Sequence, residues 1–388
     1  MQTKQLCKTP YTKDAQFLIN SFSSISSKMN CPLTIQQIKS ASVFPEIVTV
    51  HDKHILYWDM QYWEFFDRFL LELSFLLENN EYEDVFSNRV LALYYDYLSL
   101  KLLHLPELSY CIQVNRERKF SVPKNNEAKT SFGMYQMLGS IYESGIFYSR
   151  ILVFYHEFFH LYYKLNPNTK IEDCERLNKL AELYCDGYWL DDIKNDDTAS
   201  LLMDGFQTLL NSKSDKLMEE ASCDYRALIE TISMQKKMSN SNNRITVQEL
   251  QQIHDIFHIN QTFLSYLTNI FACWENLYKV YTHVDTYEEL LKNSQPYFDK
   301  AAQMAIIRNS IIPDFLDKLN TKKYGMSSYI SILNKPNIKA AIQNVADKMV
   351  DLNFMLYAIE EAIKLSHLPH FNPFELKNIV LCNAGYQI

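Results

Sequence analysis

Ile151-Leu152-Val153-Phe154-Tyr155-His156-Glu157-Phe158-Phe159-His160-Leu161-Tyr162-Tyr163 is apolar or aromatic except at His156, Glu157 and His160. Neither glycine nor proline interrupts the chain between Ile146 and Leu165, and Asn166-Pro167-Asn168 then forbids continuation. The spacing predicts one helix over 142–165, apolar nearly all round and therefore buried. On such a helix residues four apart sit one above the other, so His156 and His160 can offer their imidazole nitrogens to one metal ion. Two His and a Glu in an apolar helix need partners, and a metal supplies them. Nitrogen and oxygen donors of this kind suit tetrahedral Zn²⁺. Glu157, beside the first His, is placed to take a proton from a water that the metal polarises, and is the candidate catalytic residue.

A catalytic zinc site needs a third protein ligand and one open position. Two segments downstream match in pattern: Glu182-Leu183-Tyr184-Cys185-Asp186 and Glu220-Ala221-Ser222-Cys223-Asp224. In each, Glu and Asp are four apart on one helical face, so the Glu can bind metal while the Asp fixes the tautomer of a ligating His. For Glu182 speak its apolar surroundings and a short connection at 166–170, which is expected to turn the next helix back and bring it level with the His pair. For Glu220 speak small neighbours, Ala221, Ser222 and Ala227, which let its helix approach closely. Burial and loop length mildly favour Glu182 over Glu220 as the third ligand, and both are candidate metal ligands with His156 and His160. A second i, i+4 His pair, His254 and His258, has Asp255 where a catalytic Glu would stand, and reads as a partly solvated helix face among Gln251, Gln252 and Gln261.

These residues resemble those of the gluzincin metallopeptidases, and the HExxH…ExxAD order is similar to that of the ImmA/IrrE-type regulatory peptidases and the Lit-like phage-exclusion peptidases. The resemblance covers about a quarter of the chain, residues 142–232. Cys185 and Cys223 stand where those families usually have Ala before the Asp. It implies a zincin-like catalytic lobe, Zn²⁺ as cofactor, a specific protein as substrate, room for a regulatory protein partner, and a role in regulation or phage defence.

Working outward, 46–50 and 54–58 flank a His51-Asp52-Lys53 turn and predict a β-hairpin. Helical spacing recurs over 62–77 and 85–103, while 108–114 and 120–122 read as two more strands, giving a small antiparallel sheet ahead of the long helix. Helices are expected over 171–193, 199–210, 215–237 and 247–280. The polar run 238–244 reads as a linker, dividing a metallopeptidase domain, 1–237, from a helical C-terminal domain, 246–388. The fold class expected is mainly α (α+β).

Composition narrows the function classes. Only seven Gly and eleven Pro in 388 residues argue for long helices with short connections. A net charge of −8 without a dense Lys/Arg run argues against nucleic acid as a partner. The absence of eighteen consecutive apolar residues and of an apolar leader predicts a cytoplasmic chain with no membrane partner. Eight cysteines without a CxxC pair read as free thiols. The 26 Tyr and 23 Phe predict a thickly aromatic core.

Overall fold

The structure is a computed structural model that describes residues 5–6, 13–41, 44–78, 82–120, 140–183, 215–238, 245–284, 286, 288–296, 331–349 and 351–386. In chain order the elements are β1 (Gln5–Leu6), α1 (Lys13–Lys28), β2 (Leu33–Lys39), β3 (Glu46–Val50), β4 (Lys53–Asp59), α2 (Met60–Glu78), α3 (Glu83–Lys101) and α4 (Pro106–Lys119). They continue with α5 (Ser140–Leu165), α6 (Pro167–Leu183), α7 (Asp215–Met238), α8 (Val247–Tyr281), α9 (Pro336–Met349), α10 (Leu352–Ser366) and α11 (Pro373–Asn383). The protein is mainly helical, with one small sheet.

The expected hairpin is β3–β4, paired from Glu46↔Tyr57 to Val50↔Lys53. His51 and Asp52 both take positive φ, the two-residue geometry whose twist matches that of the flanking strands. The sheet is not antiparallel, however. Its order is β1-β2-β4-β3, and β2 runs parallel to β4 from Leu33↔His54 to Ile38↔Asp59. The strand reading of 108–114 is also corrected, because that run lies inside α4. Pro106 opens this helix, and Leu108, Cys111 and Ile112 are buried against α3, α10 and α11. A short apolar segment packed on several sides carries no period that separates strand from helix. Phe120 caps α4, and 121–122 lie outside the described residues, as do 184–193 and 199–210.

Asp59 ends β4 and starts α2. Its carboxylate accepts the Gln61 amide hydrogen (2.9 Å) as a helix cap does, and it is bridged to the Ser40 hydroxyl. α8 opens on a capping box, Thr246 with Glu249.

α5 is the central element. Phe154 stacks on Phe22 of α1 at 3.8 Å between ring centroids, and Phe158 is fully buried. On α2, Asp67 receives a two-pronged ion pair from Arg150 of α5, whose guanidinium also lies 4.6 Å from the Trp63 ring. Gly145 allows the close crossing of α5 with its neighbours. A Cβ there would meet Leu70 of α2 at 2.5 Å and Ile256 of α8 at 3.1 Å. The aromatic core extends to α8, where Phe263 packs against Phe66, Phe69, Tyr62 and Tyr94 within about 6 Å between centroids. α9 packs on α3, and α10 and α11 pack on α4, so elements beyond 245 share a core with elements before 120. Among the described residues no helix is long and apolar enough to cross a membrane, and six cysteines are free thiols.

Candidate metal centre

α5 packs most extensively on α7, and the site lies between them. Ala221, Cys223 and Ala227 of α7 are buried and small, which lets neighbouring helices close up. One turn apart on α5, His156 and His160 point their Nε2 atoms at each other across 3.1 Å. Glu220 of α7 reaches both, with its carboxylate oxygens 3.4 Å from His156 Nε2 and 3.6 Å from His160 Nε2. Ligand atoms of His156, His160 and Glu220 all lie within 4.8 Å of one another. The edges of a tetrahedron of ligands 2.0–2.1 Å from a zinc ion are about 3.3 Å, so the three donors already stand near the separations a shared ion requires.

The outer nitrogens fix the tautomers. His156 Nδ1 lies 2.7 Å from Asp224 Oδ1, and His160 Nδ1 lies 3.0 Å from Glu219 Oε1. A carboxylate only accepts, so both Nδ1 atoms carry the hydrogen and both Nε2 lone pairs face inward. Two lone pairs 3.1 Å apart repel unless a cation sits between them. Burial works against charging His156, but Asp224 and Glu220 outweigh it and raise its pKa to about 10. His160 is likewise raised, with burial opposed chiefly by Glu220. In the absence of a metal, protons answer the same demand. The donor set and the surplus of carboxylates fit a divalent cation.

Glu157 faces a cleft of about 520 Å³, lined also by Ile47 and Thr49 of β3, His160, Leu161 and Lys164 of α5, Lys170 of α6, and Glu219. Burial pushes its carboxyl up, while the two histidines pull the other way. β3 is the terminal strand in the sheet order, it contributes Ile47 and Thr49 to this cleft, and no strand pairs with its outer edge among the described residues.

The two segments that carried the third ligand in the sequence fare differently. Glu220 and Asp224 share a face of α7 and both meet His156, one on each ring nitrogen. Glu182 lies in the last turn of α6, with its side chain and Asp186 outside the described residues. The short turn back at Asn166 is present, but it brings residues 170–174 alongside the site. Lys170 reaches Glu219 at 2.5 Å, Asp173 accepts the Tyr163 hydroxyl at 2.9 Å, and Cys174 meets Ser222. Glu182 is twelve residues beyond Lys170, about 18 Å further along the helix.

Glu219 and Lys170 were not legible as site residues. Their one signal is a polar stripe, Glu219, Ser222 and Arg226, at helical spacing along α7, which pairs with Lys170, Cys174 and Asp173 of α6. The other His pair is divided: His258 stays half-buried with Gln251, Gln252 and Asp255, as a partly solvated face would have it, but His254 and Gln261 are buried. His254 is fully buried in α8, and Asp255 accepts the Ile332 amide hydrogen at 2.8 Å. Comparison with known proteins adds no relative: no family model, curated protein or solved structure matches the chain.

Proposed function

We propose that the protein is a zinc-dependent endopeptidase acting on a specific protein in the cytoplasm. The observation that carries the reading is the pair of Nε2 lone pairs turned on each other across 3.1 Å, with both Nδ1 atoms committed as donors and Glu220 closing the third side. In this reading His156, His160 and Glu220 hold the ion. Bound zinc supplies Lewis-acid polarisation of a water and of the scissile carbonyl. Glu157 takes the proton of the attacking water and delivers it to the leaving amine, and burial suits it to the task by raising its proton affinity. The peptide preference follows from β3. An extended substrate can add its backbone to the edge of β3, which carries no paired strand among the described residues, with side chains reaching the cleft that Ile47 and Thr49 share with Glu157 and His160.

The test is Glu157→Gln, scored with a proteome-derived peptide library. The variant is expected to keep its metal content and thermal stability and to lose peptide cleavage by at least about 100-fold, the scale of positioned acid–base catalysis. Wild-type protein that carries metal and cleaves nothing, or a variant that cleaves as well as wild type, overturns the assignment and favours a structural metal in a binding protein.

A further inference from the structure

The two ligating rings are braced differently. Behind His156, Asp224 is almost fully buried (1% exposed) in the α5–α7 contact. Behind His160, Glu219 lies in the cleft wall with its side chain 25% exposed, and Lys170 Nζ holds its second oxygen. Glu219 cannot share the ion with Glu220, because it meets His160 at Nδ1, on the far side of the ring from Nε2. One carboxylate thus joins three helices: it grows from α7, fixes a ring of α5, and is clamped by the second turn of α6.

We propose that Glu219 is the positioning residue for His160, held in place by Lys170, and that this pair sets the metal affinity of the site. The inference rests on the metal reading above. By accepting the Nδ1 hydrogen, Glu219 keeps the lone pair on Nε2 and stops the ring from turning about its Cβ–Cγ bond. Its negative charge also raises the basicity of the nitrogen that would bind the metal. A lone surface ion pair would add little to stability. The value of the Lys170 contact therefore lies in restricting where the Glu219 carboxylate can point.

The experiment compares Glu219→Ala, Glu219→Gln and Lys170→Met with wild type by zinc competition against a chromophoric chelator, on protein shown to be folded by circular dichroism. Removing the brace in Glu219→Ala is expected to weaken zinc binding about 10–100-fold. Glu219→Gln, whose amide oxygen still accepts from Nδ1, should recover most of that loss. Lys170→Met should weaken binding in the wild-type background and have no further effect in Glu219→Ala, because it acts through Glu219. A bridge that merely ties α6 to α7 would lower the melting temperature and leave the affinity of folded protein unchanged, and that result overturns the proposal. If wild-type protein takes up no zinc, the metal reading falls by itself. The nitrogen shifts of the His160 ring in metal-free protein at alkaline pH then decide the rest. A hydrogen on Nδ1 in wild type that redistributes in Glu219→Ala upholds the brace, and an unchanged tautomer overturns it.

Discussion

At the scale of single residues, the site is a problem in satisfying lone pairs, and this part was the most legible in the sequence. His156, Glu157 and His160 announce themselves because an apolar helix has no other use for three polar side chains in five positions. Glu220 and Asp224 were visible as a pattern, but so were Glu182 and Asp186, and burial with loop length tilted the expectation toward Glu182, whereas the packed helices bring Glu220 to the two histidines. What separates them is distance accumulated along helices, since each residue beyond a turn adds about 1.5 Å. Glu219 and Lys170 escaped notice because their roles exist only once α5, α6 and α7 have packed. The ranking is open to direct measurement. Glu220→Ala removes a donor within 3.6 Å of both Nε2 atoms and is expected to strip the metal. Glu182→Ala is expected to bind zinc as wild type does, and Asp224→Ala to fall between them, about 10–100-fold weaker. Equilibrium dialysis of the three variants gives the order, and a metal-free Glu182→Ala would reverse it.

Elements were legible where a single period dominates. α2, α3, α5, α7 and α8 lie where apolar spacing put them, and the β3–β4 turn follows from two polar residues between alternating strands. Reading failed where an element is packed on more than one side, as in α4, or where pairing is distant in sequence, as in the parallel β2–β4 ladder. One junction between elements carries a pH signature. Asp59, fully buried between β4 and α2, has its carboxyl pushed up by burial to about 6, against hydrogen bonds from Ser40 and from the Gln61 and Tyr62 amides. The ordinary value is 3.8, so between these limits the folded protein binds the proton more tightly than the unfolded chain does. Its contribution to stability therefore grows as pH falls from about 6 toward 4 and is lost as pH rises through 6. Asp59→Asn, which keeps a capping oxygen without the charge, should abolish this slope. Urea unfolding at pH 7.5 and pH 4.5 should show wild type gaining on the variant by up to about 2 kcal/mol upon acidification. A gap that does not move with pH would mean that Asp59 is not the group responsible.

At the scale of the whole molecule, the polar run at 238–244 suggested two bodies, and the described elements on either side of it share one aromatic core. Phe263 of α8 lies among rings of α2 and α3, and Ile256 of the same helix lies against Gly145 of α5. Sequence alone cannot register such long-range packing, because each partner merely reads as one more apolar position. The consequence for the site is that α5 is held from several sides by contacts that involve no metal: the Phe22 ring, the Asp67–Arg150 pair and the α7 helix. Chelation is therefore expected to remove zinc and activity while leaving the far-ultraviolet circular dichroism unchanged. The unfolding free energy should fall only by the linkage amount, about 3–4 kcal/mol at metal concentrations 100–1,000 times Kd. Loss of helical signal on chelation would show instead that the ion builds the fold.

On the metallopeptidase reading proposed above, a helix so firmly seated would make the catalytic state a matter of supply. A chain whose ligands are assembled only by their ion is destroyed when the ion is withdrawn, and must be synthesised again. Here the emptied protein would persist as a reserve, its two rings still turned toward each other with a proton between them, and would regain activity as soon as zinc returned. Scarcity of the ion would then govern how much of the protein works, and leave untouched how much of it exists.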